Sequence, residues 1–110
     1  MIGYSLKGDP RGRAAELIRW TDAAKAPVLS LDVPSGVDST DGVVRTPSIT
    51  ATATMTLAAP KIGLSAVEAQ PNIGELYVAD IGVPDWVYQQ IKGLRNMAEA
   101  FRFGDVVKVV

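Results

Sequence analysis

Two short apolar runs with a helical segment between them make up the first third of the chain. Residues 11–25 repeat Ala, Leu, Ile and Thr at a spacing that puts them on one face of a helix, and Pro27 prevents this helix from continuing. Residues 28–33 are rich in branched apolar side chains, as buried strands are. With the short apolar stretch of residues 1–6, the order predicts strand, turn, helix and strand, which is a βαβ unit with parallel strands.

The start of that helix is predicted from Asp9 and Pro10. An aspartate can cap the free amides of a first helical turn, and proline suits the first helical position because no amide donor is needed there. The glycine-rich segment GYSLKGDPRG, residues 3–12, is therefore predicted to be a turn that leads into a helix.

The remainder of the chain predicts further strands joined by loops. Residues 49–60 alternate threonine with apolar residues, which favours a strand ending near residues 57–59, although the alanines leave a helix as the competitor. Residues 34–48 and 61–74 are predicted to be mostly loop. The last segments are a third strand at 75–84, a short helix at 85–94 that ends at Gly93, and a tail with a helical NMAEAF and a strand-like VVKVV.

These elements predict an α/β fold, a Rossmann-like parallel sheet with flanking helices. A parallel sheet is normally covered by helices on both faces, yet residues 1–110 predict few strands and few helices for such a fold. We therefore expect the chain to be the C-terminal half of a three-layer α/β/α domain, with residues 1–110 forming part of one domain rather than several.

The composition excludes some classes of function. The chain has 110 residues, 47% of them hydrophobic, and a formal net charge of −1, which gives no electrostatic footprint for nucleic acid or an anionic membrane. No apolar run reaches the roughly 18 residues of a membrane span. Cysteine and histidine are absent, so acid–base chemistry must use carboxylates, lysines or tyrosines, and a histidine-based zinc site is excluded. A cytoplasmic location is expected.

The segment LSLDVPSGVDSTDG, residues 29–42, contains the strongest candidate residue. Its strand ends at Asp32, which proline, serine and glycine soon follow. Ligands of open α/β sheets bind beyond the carboxyl ends of parallel strands, and the βαβ order brings Ser5 and Asp32 to that same edge. From these residues alone, Asp32 either holds a turn together or faces a ligand, as a carboxylate that can accept a hydroxyl proton and return it.

Four motifs in order, GYSLKG, LDVPSGVD, LAAPKIGL and ELYVADIGVP, resemble the NAD(P)H-hydrate epimerase family, also called the YjeF N-terminal domain family. The resemblance extends to about Trp86, and the D-x-P-S-G-x-D stretch is specific. It implies a Rossmann-like domain of roughly twice this length. It also implies a bound potassium ion and the interconversion of the R and S epimers of hydrated NADH and NADPH, which repairs damaged nicotinamide nucleotides.

The same resemblance implies roles for particular residues. Asp32 matches a substrate contact, and we expect it to be the catalytic group. Ser35 matches a potassium ligand, and hard cations prefer oxygen donors such as its hydroxyl, which could otherwise be a plain turn hydroxyl. The other implied substrate contacts form the glycine-rich turn: Gly3, Tyr4, Ser5, Leu6, Lys7, Gly8 and Asp9.

The glycine-rich turn has two interpretations. Its backbone amides, together with the start of the helix, could face the phosphates of the substrate. The negative charge of Asp9 competes with phosphate there, and Lys7 would offset it. The alternative is a purely structural turn that leads into the helix.

Two features that the family implies are absent from these 110 residues. One is an asparagine- and glycine-rich loop of the type N-G-G-D-G, which contacts substrate and supplies an asparagine to the potassium. The other is a potassium-binding aspartate, whose position would fall before Met1. Ser35 is the one implied side-chain ligand that the chain supplies. We therefore expect the isolated chain to be inactive, and to form a homo-oligomer or associate with the missing N-terminal half.

Other polar and aromatic residues have simpler interpretations. Lys61 is interpreted as a solvated loop lysine, and Asp80 as a turn former at least as readily as a ligand contact. Trp86 and Tyr88 are interpreted as packing residues. Two hypotheses for function follow: an epimerase acting on a small molecule, and a non-catalytic nucleotide-binding or protein-interaction module on the same fold.

Overall fold

The computed structural model describes residues 8–91 and 97–109. In these ranges the helices are α1 (Gly12–Ala23), α2 (Gln70–Ile73), α3 (Asp85–Gln90) and α4 (Met97–Ala100), and the strands are β1 (Leu29–Leu31), β2 (Ala53–Leu57), β3 (Glu75–Ala79) and β4 (Val106–Val109). Short 3-10 helices lie at Ile62–Ser65, Val67–Ala69 and Phe101–Phe103. The strand predicted at residues 1–6 lies outside the described residues. The helix predicted over 85–94 is shorter than expected, because it ends at Gln90 and the next residue, Ile91, is extended; Gly93 itself lies outside the described residues. Within those residues, no helix has the length and apolar character required to cross a bilayer.

The strands form one sheet in the order β1, β2, β3, β4. β1, β2 and β3 are parallel, with Leu31 paired to Met55 and Leu57 paired to Ala79, so their carboxyl ends meet at one edge. β4 is antiparallel to β3, an arrangement common at the edges of otherwise parallel sheets. The predicted α/β class with flanking helices is confirmed, and so is the strand predicted in VVKVV.

The strands are shorter than their sequence patterns predict, and left-handed residues account for two of their ends. β1 ends at Leu31 because the next residue, Asp32, has φ 70°, and β2 ends at Leu57 because Ala58 has φ 67°. A residue in this region turns the chain away from the extended conformation. Both strands therefore stop at the same edge of the sheet.

Helix α1 begins at Gly12, and the predicted cap at Asp9 is wrong. Arg11 is the N-cap residue, with an extended backbone and no side-chain hydrogen bond to the helix. The carboxylate of Asp9 instead accepts a hydrogen bond of 3.2 Å from the amide of Thr46. The extended backbone at Arg11 separates Asp9 from the first helical turn, so the Asp9 contact ties the segment before α1 to the loop that follows β1.

Residues 61–74, predicted to be mostly loop, are largely helical, with two 3-10 helices and α2. The side chain of Gln70 holds the segment together, since its Nε2 donates to the carbonyls of Leu64 and Ala66, both at 3.0 Å. The apolar residues of the segment pack against Val37 in one buried cluster: Leu64, Ala69 and Ile73. Tertiary burial therefore orders a segment whose local sequence is typical of a loop.

The loop after β1 is fixed by close packing on both sides. Val37 anchors it in the cluster just described, and a second cluster joins Ile18 of α1 to Ile49 and Ala51. Gly36 permits a close approach, because a Cβ at this position would lie 2.6 Å from the Cα of Ser48 and because its φ is 95°. The D-x-P-S-G segment therefore has one defined position at the edge of the sheet.

Candidate active site

Asp32 lies where the carboxyl ends of β1 and β2 meet. Its amide donates a hydrogen bond of 2.7 Å to the carbonyl of Met55, the last bond of the ladder between the two strands. Its carboxylate turns toward β2, where Oδ1 accepts from the amide of Leu57 and from the hydroxyl of Thr56, both at 3.2 Å. Thr56 is fully buried, so this hydroxyl is a fixed donor.

Lys61 completes the group, and its interpretation as a solvated loop lysine is wrong. Its Nζ lies 2.8 Å from Oδ1 of Asp32, and the two side chains are 30% and 29% exposed. The same Nζ donates to the carbonyls of Leu57, at 2.6 Å, and Ala59, at 3.1 Å. A further contact of 3.1 Å joins it to the hydroxyl of Thr56. The lysine therefore joins the ends of both strands to the loop after β2.

The two carboxylate oxygens of Asp32 have different surroundings. Every donor that the structure places on this carboxylate, from Lys61, Thr56 and Leu57, is bound to Oδ1. Oδ2 receives no hydrogen bond from the described residues. Oδ1 thus holds the side chain in position against the end of β2.

The electrostatics of the group keep Asp32 ionised at neutral pH. Partial burial raises the pKa of its carboxyl, but the hydrogen bond from Lys61, the amide of Leu57, the positive charge of Lys61 and the hydroxyl of Thr56 together hold the pKa below the usual value. A carboxylate of this kind is a good hydrogen-bond acceptor and a fixed negative charge, but a weak base.

Ser35 lines a groove of about 500 Å³ between α1 and β1, which is otherwise mainly apolar and includes Leu17, Leu29 and Leu31. The carbonyl of Ser35 accepts from the amide of Ile49 at 2.8 Å, so it is already engaged within the fold. In the described ranges, no group of three or more Asp, Glu, His or Cys residues could hold a metal ion. The potassium ion that the resemblance implies at Ser35 therefore stays a prediction.

The glycine-rich turn is described only from residue 8 onward. Gly3, Tyr4, Ser5, Leu6 and Lys7 lie outside the described residues, so the juxtaposition of Ser5 with Asp32 stays a prediction. Gly8 is exposed with φ 86°, and the carboxylate of Asp9 is bound to the Thr46 amide.

Among the described residues, no hydrogen bond or ion pair joins Asp80, Trp86 or Tyr88 to Asp32. Asp80 forms a turn, since its Oδ1 accepts from the amide of Gly82 at 2.9 Å. Tyr88 is buried, and its hydroxyl donates to the carbonyl of Ala58 at 3.0 Å, which braces the end of β2. Trp86 is 63% exposed, so the packing interpretation holds for Tyr88 alone of the two.

Lys61 and Thr56 are the site residues that sequence reasoning missed. A signal for Lys61 was present, because it follows the end of a predicted strand by a few residues and so falls at the same sheet edge as Asp32. Thr56 gave no such signal, since it is one of four alternating threonines at residues 50–56.

A mostly parallel sheet with a charged group at the carboxyl ends of adjacent strands defines an α/β protein of the Rossmann-like class, in which ligands bind at that edge. The model of one family, described as YjeF-related protein N-terminus, matches residues 1–63. The chain belongs to this family, and the resemblance seen in its motifs is confirmed.

Several curated proteins are similar to the chain. An NAD(P)H-hydrate epimerase of Dehalogenimonas lykanthroporepellens is 44% identical over 110 residues, which are 99% of this chain and 42% of that protein. An NAD(P)H-hydrate epimerase of Weissella koreensis is 44% identical over 83 residues, or 76% of this chain and 38% of that protein. The Bifunctional NAD(P)H-hydrate repair enzyme Nnr of Salinibacter ruber is 38% identical over 87 residues, or 79% of this chain and 16% of that protein. The chain thus spans less than half the length of these relatives.

Proposed function

We propose that this chain is the C-terminal part of an epimerase domain that interconverts the R and S forms of hydrated NADH and NADPH, with Asp32 as its catalytic group. The observation that carries the proposal is the state of Asp32. It lies at the ligand-binding edge of the sheet, is held through Oδ1 alone, and leaves Oδ2 without a donor among the described residues. The names of the relatives supply the substrate.

The chemistry of epimer exchange suits an ionised carboxylate. The C–O bond at the hydrated ring carbon breaks and re-forms on the opposite face, so the substrate is neither oxidised nor reduced overall. The departing hydroxyl gains a proton from solvent and leaves as water, while the ring nitrogen supplies the electron pair. When water adds to the opposite face, Oδ2 can accept the proton that this water loses and return it to solvent, so protons balance over the cycle. Because the pKa of Asp32 is lowered, its main contribution is a fixed negative charge beside the ring as positive charge develops there.

The proposed site has two further features, a potassium ligand and a substrate-binding turn. Ser35 contributes one hydroxyl to a potassium ion, and the other two side-chain ligands that the family implies come from outside these 110 residues. The turn formed by Gly3, Tyr4, Ser5, Leu6, Lys7, Gly8 and Asp9 contacts the substrate, and its backbone amides face the phosphates.

The same domain requires a partner for this chain. We propose that residues 1–110 associate either with another copy of themselves or with the N-terminal half of the domain. Support comes from the apolar groove beside β1 and from the greater length of the relatives. A cytoplasmic location, where reduced nicotinamide nucleotides are abundant, completes the proposal.

Measuring epimer exchange tests the function directly. The complete protein is incubated with one purified epimer of hydrated NADH, and the appearance of the other is followed by chromatography. We expect exchange far above the uncatalysed rate in the complete protein and none above it with residues 1–110 alone. If the complete protein neither accelerates exchange nor binds the hydrate, the proposed activity is wrong.

A non-catalytic binding module on the same fold is the second candidate. The observation in its favour is the lack of an N-G-G-D-G-type loop in these 110 residues. The DNA upstream of the codon for Met1 distinguishes the two candidates: a sequence encoding such a loop supports the enzyme, and its absence supports a module that binds without chemistry.

A further inference from the structure

Asp32 needs an external constraint to keep one orientation. Its backbone is left-handed, with φ 70°, a conformation that residues other than glycine adopt sparingly. Its side chain is not fully buried, since it is 29% exposed. The position of its carboxylate therefore depends on the hydrogen bonds made to it.

Lys61 is the strongest of those constraints. It makes the shortest contact to the carboxylate, 2.8 Å to Oδ1, and in the described ranges it is the one cation within ion-pair distance of Asp32. Its ammonium is itself held in place by the carbonyls of Leu57 and Ala59. An ammonium gives up part of its hydration when fixed acceptors surround it, so this position is not that of a freely solvated lysine.

We propose that Lys61 is a positioning residue for the reaction: it fixes Asp32 through Oδ1 and so presents Oδ2 to the substrate without touching the substrate itself. This inference rests on the proposed function and adds a residue to it. Three points carry it: the single oxygen to which all the donors bind, the strained backbone of Asp32, and the contacts of one Nζ with the ends of both strands.

The competing explanation is that Lys61 and Asp32 form a purely structural ion pair. Two variants of Lys61 distinguish this explanation from a positioning role. Lys61→Met removes the charge and the donors but keeps an unbranched side chain. Lys61→Arg keeps the charge, but its planar fork cannot reproduce the contacts that a compact ammonium makes. Lys108→Met is the matched control, because Lys108 also forms an ion pair, to Glu75 at 3.3 Å, on an exposed part of the sheet.

Steady-state kinetics of the complete protein provide the first readout. Positioning predicts that Lys61→Met lowers kcat about 10- to 100-fold with KM changed less than about threefold, and that Lys61→Arg lowers kcat about 10-fold. Lys108→Met should leave both constants unchanged. If Lys61→Arg keeps the full kcat, positive charge alone suffices and the positioning role is overturned; equal losses in Lys61→Met and Lys108→Met would overturn it as well.

Titration of Asp32 provides a readout that does not need activity. In the complete protein labelled with 13C at the aspartate carboxyls, the Asp32 signal is assigned by its loss in Asp32→Asn and followed against pH. Because Lys61 lowers the pKa of Asp32, Lys61→Met should raise it and move the acid limb of kcat to higher pH, whereas Lys61→Arg should leave it near the native value.

The kinetics and the Asp32 titration together distinguish a failure of the Lys61 proposal from a failure of the proposed function. An unchanged Asp32 titration in folded Lys61→Met, with folding checked by thermal unfolding, overturns the contact between Lys61 and Asp32 whatever the enzyme does. A raised pKa in a protein that shows no epimer exchange supports the contact and instead overturns the proposed function.

Discussion

At the scale of the residue, the candidate site depends on the two oxygens of Asp32 having different surroundings. Oδ1 binds Lys61, Thr56 and the Leu57 amide, and Oδ2 receives nothing from the described residues. A turn-capping aspartate typically accepts hydrogen bonds from amides of its own turn, as Asp80 does from Gly82. Asp32 instead binds groups on β2 and beyond it, which argues against a purely local role.

The comparison between these two aspartates supplies a prediction for activity. Asp32→Asn preserves the size of the side chain and tolerates the left-handed backbone, so it removes mainly the charge. We expect turnover in the complete protein to fall about 100-fold or more. Asp80→Asn, at the carboxyl end of β3, should keep the native rate. A nearly native rate in Asp32→Asn would return Asp32 to a turn-capping role.

A second prediction at this scale concerns stability against pH. The pKa of Asp32 is lower in the folded state than in the unfolded chain, so its ionised form stabilises the fold above the unfolded pKa of about 3.9, and this contribution is lost as the pH falls through the folded pKa. Urea unfolding should therefore show wild type more stable than Asp32→Asn at pH 7. The gap should narrow at pH 3; a constant gap between the two pH values would contradict this account.

At the scale of the element, two neighbouring strands end in the same way. β1 and β2 are each followed by a left-handed residue that is not glycine, Asp32 and Ala58. At Asp32 the carboxylate contacts compensate for the strained backbone, and at Ala58 the buried hydroxyl of Tyr88 binds the carbonyl at 3.0 Å. Both strand ends at this edge of the sheet are thus held by tertiary contacts rather than by local preference.

The backbone of Ala58 allows a simple test of that strain. Ala58→Gly removes a Cβ from a left-handed position, where an L residue costs about 1–2 kcal/mol, but adds flexibility to the unfolded chain worth about 0.4–1 kcal/mol. We expect a net gain of up to about 1 kcal/mol in the free energy of unfolding. Ala53→Gly, in the extended part of β2, should instead lose about 0.5–1 kcal/mol. Denaturant unfolding of both variants measures the contrast.

The sequence predicted the main elements of the fold but not their ends. Apolar periodicity predicted α1, β1, β2 and β3 near their observed places, because burial against the sheet is recorded in the order of side chains. The same pattern could not give the strand ends, since these depend on φ at Asp32 and Ala58, nor the helical turns of 61–74, which burial against Val37 orders.

The sequence predicted only those site residues whose role depends on their own segment of the chain. Asp32 was found from its place after a strand and from its motif. The position of Lys61 shortly after a predicted strand indicates the same sheet edge, but its contacts with Asp32 and Leu57 exist only once β1 and β2 lie side by side, so the sequence did not reveal its role. The predicted cap at Asp9 failed similarly, since the carboxylate found a tertiary partner in Thr46.

At the scale of the molecule, apolar surface is concentrated beside β1. Leu29 and Leu31 are 64% and 60% exposed, and they line the groove between α1 and β1 with Leu17. Among the described residues, β1 pairs only with β2. Exposed apolar side chains beside a groove favour association with another chain.

Light scattering on residues 1–110 tests this expectation. We expect a mass larger than one chain at micromolar concentration, or poor solubility, and we expect Leu31→Lys to shift the population toward the monomer. Val67→Lys, which alters an 81% exposed apolar residue that does not line the groove, should not shift it. A well-folded monomer in the unaltered chain would show that the fold closes without a partner.

The bond between the Leu57 amide and Oδ1 of Asp32 has one further consequence. In a parallel pair, that amide would ordinarily bond to a carbonyl of the neighbouring strand, but β1 has already ended, and the carboxylate takes the carbonyl's place. The carboxylate of the proposed catalytic residue therefore forms the next hydrogen bond of the sheet, directly beyond the backbone bond from the Asp32 amide to Met55. A substitution that shifts or twists β2 would therefore move this hydrogen bond and change the reactivity of Asp32. Even a change at Thr54, a buried residue within β2, would have this effect without altering a residue of the proposed binding site.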